Sequence, residues 1–257
     1  MELNYINYIN LKNKKLTRKE IAAQFNIPDW KLKKEIAKNG WGKSRPTIAN
    51  INFFDCYSEQ ASYWGGFIAA DGCISNDTLQ IVLNYDDTKH LVKFRDTIGS
   101  THAITSNTDK YYRSSFGFKN LHINTKLKEL YNIIPTKSLI YSLPDIPEDY
   151  FRHYLRGYFD GDGCICESFS NAQSVTATLY TTIAGSNVFI DALQNKLKLV
   201  LNISGTVQRR ENHSILKYCT NASKILLDYM YNGSEVYLDR KFNLYNKIVV
   251  NNIRMKV

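Results

Sequence analysis

Two aspartates in this chain of 257 residues occupy matching places in a repeated nonapeptide. Trp64-Gly65-Gly66-Phe67-Ile68-Ala69-Ala70-Asp71-Gly72 is followed by Cys73-Ile74, and Leu155-Arg156-Gly157-Tyr158-Phe159-Asp160-Gly161-Asp162-Gly163 is followed by Cys164-Ile165. If each nonapeptide ends a helix, Gly66 and Ala70 share one helix face, as do Gly157 and Gly161. Glycine inside a helix costs roughly 1 kcal/mol relative to alanine, so the small residues imply that two helix backbones come close together. Packing one copy on the other sets the two helix ends side by side, with Asp71 and Asp162 adjacent across a pseudo-twofold axis and Gly72 and Gly163 as helix stops. A carboxylate is the wrong charge for a helix C-terminus, where the macrodipole favours cations. Two of them there make a site for a hard divalent cation such as Mg²⁺, which takes oxygen ligands. A single Asp-Gly pair also reads as a turn between helix and strand. The second copy, with the same small-residue spacing, favours the metal-binding reading.

The elements that must position the two acids recur with them. Strand-like runs follow each copy, at 79–85 and 111–118 in the first half and at 175–183 and 205–217 in the second. Amphipathic helices lie between them, one with Asp87 as N-cap before Leu91, Phe94 and Ile98, the other with Asn187 before Ile190, Leu193 and Leu197. A later helix begins near Asn124 in one half and near Asn221 in the other. Each half therefore reads helix, strands, helix, strands, helix, a duplicated α/β (α+β) unit with pseudo-twofold symmetry.

Ahead of the repeat sits a small helical segment. Thr17 and Glu20 form a capping box that opens one helix, Asn26-Ile27-Pro28-Asp29 makes a turn, and a second, basic helix carrying Lys31, Lys33 and Lys34 ends at Asn39-Gly40. Two short helices with a tight turn read as a helix-turn-helix or as an ordinary helical hairpin on the main body. Ser44-Arg45-Pro46-Thr47 is the candidate linker, which gives a helical unit over 1–45 and two halves over 46–144 and 145–257.

Composition narrows the class. Thirty-three Lys and Arg against 24 Asp and Glu give a net charge of +9, which points to a polyanionic partner. Hydrophobic residues at 44% and only 5 prolines argue against disorder. With no run near ~18 apolar residues and no signal-peptide core, the chain reads as intracellular and unconnected to a membrane. Five scattered cysteines disfavour a disulfide framework and a four-ligand zinc site.

The paired nonapeptides resemble the motif of the LAGLIDADG homing endonucleases, and the similarity runs from about Phe53 to about Ile248. The second copy is close to the family pattern, whereas the first has Trp64 in place of the opening leucine and Ala69 where the second has Asp160. The resemblance implies a monomeric, single-chain enzyme whose two antiparallel sheets form a DNA-binding saddle and which makes a double-strand break in a long DNA target. It implies Mg²⁺ or Mn²⁺, ligated by Asp71 and Asp162 with the backbone carbonyls of Ala70 and Gly161, and no small-molecule cofactor. It also implies that Lys137 and Lys241, near the end of each half, sit beside the scissile phosphates; Asp160, present in one copy only, reads as structural. Two other activities remain open at this point: a LAGLIDADG-fold regulator that binds DNA without cutting it, and an intron maturase that binds RNA.

Recognition would then come from the strands, because an antiparallel sheet in the major groove can follow successive bases with alternate side chains. Phe116 and Phe118 face the core by alternation, leaving Tyr111, Arg113 and Ser115 for DNA, and Gln208, Arg210 and Lys217 are the expected counterparts in the second half. Lys31, Lys33 and Lys34 would add phosphate contacts outside the core site.

Overall fold

The computed structural model describes residues 2–14, 16–42, 46–109, 111–169 and 177–251. The chain forms two compact units, Met1–Thr47 and Ile48–Val257. Among the described residues no helix is long and apolar enough to cross a membrane.

The first unit is a bundle of three helices: α1 (Tyr5–Asn13), α2 (Arg18–Gln24) and α3 (Asp29–Lys38). The capping box is present, with the Thr17 hydroxyl accepting from the Glu20 N–H while the Glu20 carboxylate accepts from the Thr17 N–H at 2.6 Å. Asn26 takes a left-handed φ of 54° in the turn before α3. Helix α1 adds to the two helices legible in the sequence. Its N-cap Asn4 accepts from the Asn7 N–H at 2.9 Å, and Tyr8 and Leu11 complete a core with Ile21, Ala22, Phe25 and Leu32.

The second unit contains the duplication. Its first half runs α4 (Glu59–Asp71), β1 (Gly72–Ser75), β2 (Thr78–Asn84), α5 (Thr88–Thr97), β3 (Thr105–Asn107), β4 (Arg113–Lys119) and α6 (Leu121–Tyr131). The second half runs α7 (Glu148–Asp162), β5 (Gly163–Phe169), β6 (Ala177–Gly185), α8 (Asn187–Leu201), β7 (Thr206–Arg209), β8 (Ser214–Cys219) and α9 (Thr220–Tyr231), followed by α10 (Asp239–Tyr245). Each half builds a four-stranded antiparallel sheet in the same order, β1-β2-β4-β3 and β5-β6-β8-β7. One face of each sheet is apolar and packs on helices: Leu79, Ile81 and Leu83 with Phe116 and Phe118 in one, Leu179 and Ile183 with Leu216 and Tyr218 in the other. Both halves feed one continuous core with α4 and α7 at its centre.

The structure adjusts several boundaries. The stretch 205–217 is a hairpin of two strands, with the Arg210 N–H donating to the His213 carbonyl at 2.9 Å across the turn. The N-cap of α8 is Ser186, whose hydroxyl accepts from the Phe189 N–H at 3.1 Å, one residue before the expected Asn187. Helices α6 and α9 begin at Leu121 and Thr220, earlier than Asn124 and Asn221, because Asn120 caps α6 and strand β8 runs straight into α9. Asp87 does occupy the N-cap position of α5, but its carboxylate faces Arg240 rather than the helix N–H groups. Residues 175 and 176 of the expected strand lie outside the described residues.

Candidate active site and sheet surface

Helices α4 and α7 meet backbone to backbone. A Cβ on Gly66 would collide with the Tyr154 carbonyl, and one on Gly157 would collide with the Tyr63 carbonyl, so each glycine is where the other helix passes. One turn further on, Gly161 faces the Ala70 methyl and the Asp71 carboxylate, with a Cβ there falling 3.2 Å from Asp71 Oδ2. Asp71 and Asp162 are thus the last residues of two helices that converge on each other. Gly72 and Gly163 follow as C-caps but are extended, with φ of −82° and −98°, and not left-handed as a glycine stop would be. The chain passes directly from helix to strand, and glycine is needed because the last helical turn, Ile68 in one copy and Phe159 in the other, lies against the Cα.

The paired acids are electrostatically strained. Burial and then the charge of Asp162 push the Asp71 carboxyl up to about 6, while burial raises Asp162. Lys137 and Lys241 oppose both shifts. These lysines are 7% and 2% exposed, so neither is a solvated surface charge. Lys137 Nζ donates to the Gly72 carbonyl at 2.8 Å, and Lys241 Nζ donates to the Gly163 carbonyl at 2.6 Å and the Asp160 carbonyl at 2.8 Å. Each lysine is therefore tethered to the helix-to-strand junction of its own half, where the macrodipole favours a cation. Burial lowers Lys137, and it brings Lys241 down to about 8. Lys137 weighs most on Asp162, and of the two lysines Lys241 weighs more on Asp71, while Asp160 is the carboxylate that weighs most on Lys241. Lys137, Asp162, Ala70, Tyr158 and Ser186 line a common cavity of about 70 Å³.

Asp160, the acid without a counterpart in the first copy, is fully enclosed. It accepts from the Tyr63 hydroxyl at 2.7 Å, from the Leu238 N–H at 2.7 Å and from the Tyr231 hydroxyl at 2.5 Å. Burial raises its pKa, and Lys241 with these donors pulls it back. Through Leu238, the N-cap of α10, Asp160 fixes the helix whose first turn carries Lys241. Nearby, the buried Arg156 guanidinium donates to Glu59 at 2.9 Å, Met230 O at 2.9 Å and Val236 O at 2.8 Å, which clamps α4, α7 and the segment after α9 together. The tyrosine partners of Asp160 carry no motif of their own, so the sequence offered no signal for them.

The donor set suits a hard cation. Two carboxylates, each retaining a solvent-facing side, sit at converging helix ends beside the carbonyls of Ala70 and Gly161. Among the described residues no group of three His, Cys, Asp or Glu side chains is gathered to hold a metal. A hard cation held there would take few oxygens from the protein and the rest from water.

The exposed face of each sheet presents the alternate residues. Arg113 and Ser115 point away from the core on β4, in register with Asn84 and Val82 on β2 and with Asn107 and Thr105 on β3. Tyr111 precedes the strand instead of lying on it, because Tyr112 takes a left-handed φ of 43° and breaks the alternation. Its ring lies under the Arg113 guanidinium, 4.5 Å from centroid to Cζ. In the second half Gln208 and Lys217 lie on the exposed face, Lys217 paired with Thr182 and Thr206 and its Nζ 3.7 Å from the Tyr180 ring centroid. Arg210 is exposed in the hairpin beyond β7. Arg209 is turned to the helix side, where it pairs with Asp191 at 2.7 Å. Central-strand residues Gln80, Asn84, Tyr180 and Thr182 share these faces, and the same alternation in the sequence would have found them. In the first unit Lys31, Lys33 and Lys34 are exposed on α3.

No protein-family model matches the chain, and no curated protein matches its sequence. Solved structures do. The LAGLIDADG meganuclease I-AabMI bound to uncleaved DNA superposes with a TM-score of 0.56 at 13% identity, over 76% of this chain and 91% of that one. The I-LtrWI LAGLIDADG homing endonuclease bound to target DNA gives 0.55 at 14% identity, over 79% and 90%, and I-GzeII in complex with its DNA target gives 0.56 at 12%, over 76% and 90%. The architecture is the LAGLIDADG homing endonuclease fold: a duplicated α+β unit whose two sheets form a saddle.

Proposed function

We propose that the chain is a site-specific DNA endonuclease of the homing type, acting as a monomer and cutting both strands of a long duplex target in a divalent-metal-dependent reaction. One observation carries this reading: Asp71 and Asp162 end two helices packed backbone to backbone, each beside a buried lysine. The fold shared with the DNA-bound endonucleases above supports it.

Each residue has a part in that reaction. Asp71 and Asp162, with the carbonyls of Ala70 and Gly161, would hold a divalent cation, Mg²⁺ or Mn²⁺, at the ends of the two helices. When bound there, the cation lowers the pKa of the attacking water and offsets charge on the leaving 3′ oxygen. Lys137 and Lys241 place positive charge where the phosphorane develops it, and their tethers to Gly72 and Gly163 mean that little reorganisation is needed as that charge grows. Arg113, Ser115, Gln208 and Lys217, on the exposed sheet faces, meet base edges in the major groove, with Tyr111 and Arg210 at the ends of their strands.

The test is selection of cleavable sites from a randomised duplex library with Mg²⁺, followed by assay of the selected site with Asp71→Asn and Asp162→Asn. Both variants should bind the site and fail to cut it. Wild-type cutting rates in either variant would overturn the assignment, and binding without cutting by the wild type would support the regulator.

A further inference from the structure

The net charge of the chain is concentrated in the part that does not carry the acid pair. Residues 1–47 hold eleven Lys and Arg against four Asp and Glu, a net +7 of the total +9. The remaining 210 residues hold 22 against 20, a net +2. A nearly neutral body gives weak long-range attraction to a polyanion, since that attraction scales with the number of phosphates neutralised.

The first unit also displays its charge on one surface. Helix α3 turns Leu32 and Ile36 inward to the bundle core, with Leu32 fully buried. At 100° per residue its opposite face carries Trp30, Lys31, Lys34, Ala37 and Lys38, all exposed, with Lys33 exposed on the flank. Trp30 is 66% exposed, unusual for an aromatic that could have joined the core. Among the described residues Lys31, Lys34 and Lys38 have no carboxylate partner. Of the two acids on α3, Glu35 accepts from the Asn39 amide at 3.0 Å, and Asp29 is taken by Arg18 in a two-pronged pair of 2.6 and 2.7 Å that locks the first residue of α2 to the first residue of α3. The left-handed Asn26 and the N-capping Pro28 fix the turn between them. A helix of 10 residues is about 15 Å long, and the B-DNA major groove, about 12 Å wide, admits one.

We propose that the first unit is a second duplex-DNA-binding module, presenting α3 through Trp30, Lys31, Lys34 and Lys38 to DNA outside the stretch covered by the two sheets. It supplies most of the salt-dependent attraction of the whole chain, while the sheets supply base readout. The inference extends the reading of the body as a DNA endonuclease, and its test does not need the body's target.

The experiment uses the full chain and a long duplex of random sequence, with affinity measured across a salt series for the wild type, for a Lys31→Ala, Lys34→Ala, Lys38→Ala triple variant, for Trp30→Ala and for an Arg113→Ala, Lys217→Ala variant of the sheets. Alanine preserves helix propensity at exposed sites, so far-ultraviolet circular dichroism should be unchanged. The triple variant should lose at least about tenfold in affinity, and its salt slope should fall by roughly 0.9 for each phosphate contact removed. The sheet variant should lose less on this duplex. Equal affinity and equal slope for wild type and triple variant would overturn the proposal, as would a wild type with no salt-dependent duplex binding. The endonuclease reading is judged separately, by cutting of the selected site.

Discussion

Lys137, from the first half, is the cation that weighs most on Asp162, from the second, and the two line one cavity. Of the two lysines Lys241 weighs more on Asp71, although its own strongest carboxylate is Asp160 of the same half. Each lysine is bonded to its own half, and the Lys137–Asp162 pair crosses between the halves.

The Lys137–Asp162 crossing fixes a coupling pattern. In metal-free protein, Lys137→Met should couple to Asp162→Asn in a double-mutant cycle by about 1 kcal/mol, and less to Asp71→Asn. Denaturant unfolding of the four species measures it. A larger coupling to Asp71 would refute the crossed arrangement. With DNA and Mg²⁺, Lys137→Met should slow cutting by about 10²-fold while leaving binding unchanged, as expected for loss of one group that stabilises transition-state charge.

Asp160 offers a second prediction. Asp160→Asn keeps the size of the side chain but turns an amide N–H₂ toward at least one of three donors, Tyr63 O–H, Tyr231 O–H and Leu238 N–H. An unsatisfied buried group of this kind costs about 1–3 kcal/mol, to be read as a lower denaturant midpoint. Because Asp160 fixes α10 and no acid stands at Ala69, the loss should fall on the Lys241 side of the site. Nicked DNA should accumulate before the double-strand break on a supercoiled target. Equal slowing of both strands would show that Asp160 acts on stability alone.

The acid pair sets a pH dependence. The Asp71 carboxyl is raised to about 6 in the folded chain from an ordinary value near 4. A raised carboxyl stabilises the folded state fully at pH values below its unfolded pKa, and that contribution disappears as pH climbs through about 6. Metal-free protein should therefore lose stability between about pH 4 and pH 6 from this group, and divalent cation should restore it above pH 6 by binding the ionised pair. The Tm increment produced by Mg²⁺ should be large at pH 7.5, should shrink below pH 6 and should vanish in Asp71→Asn. An increment that is flat with pH would place the cation elsewhere.

Much of this was legible in the sequence, for identifiable reasons. The doubled nonapeptide located both acids because glycine at Gly66 and Gly157 is tolerated only where another backbone passes, and the strands repeated with it. Alternation alone placed Arg113 and Ser115 opposite Phe116 and Phe118. What escaped depends on contacts between residues far apart in the chain. Nothing near Asp160 announces Tyr63 or Tyr231, and the left-handed Tyr112 that displaces Tyr111 from its strand carries no glycine signal. Helix α1 has little amphipathic pattern, its buried residues being only Tyr8 and Leu11, so its periodicity was weak.

The helix interface supplies the last prediction, in which two effects of opposite sign compete. Gly66→Ala and Gly157→Ala each raise intrinsic helix propensity by roughly 1 kcal/mol, so at an exposed site either would stabilise the chain. Here the added methyl meets the Tyr154 or the Tyr63 carbonyl, main-chain atoms of the facing helix that cannot rotate aside as a side chain can. Relief requires α4 and α7 to separate, which strips packing from Trp64, Phe67 and Tyr158 and moves Asp71 away from Asp162. Overpacking of this kind costs about 1–3 kcal/mol or more, enough to exceed the propensity gain. Each variant should unfold at lower denaturant than the wild type, and where it remains folded its Mg²⁺-induced rise in Tm should be smaller. A variant as stable as the wild type, with an undiminished Mg²⁺ response, would mean that the helices do not hold the two acids at a fixed separation.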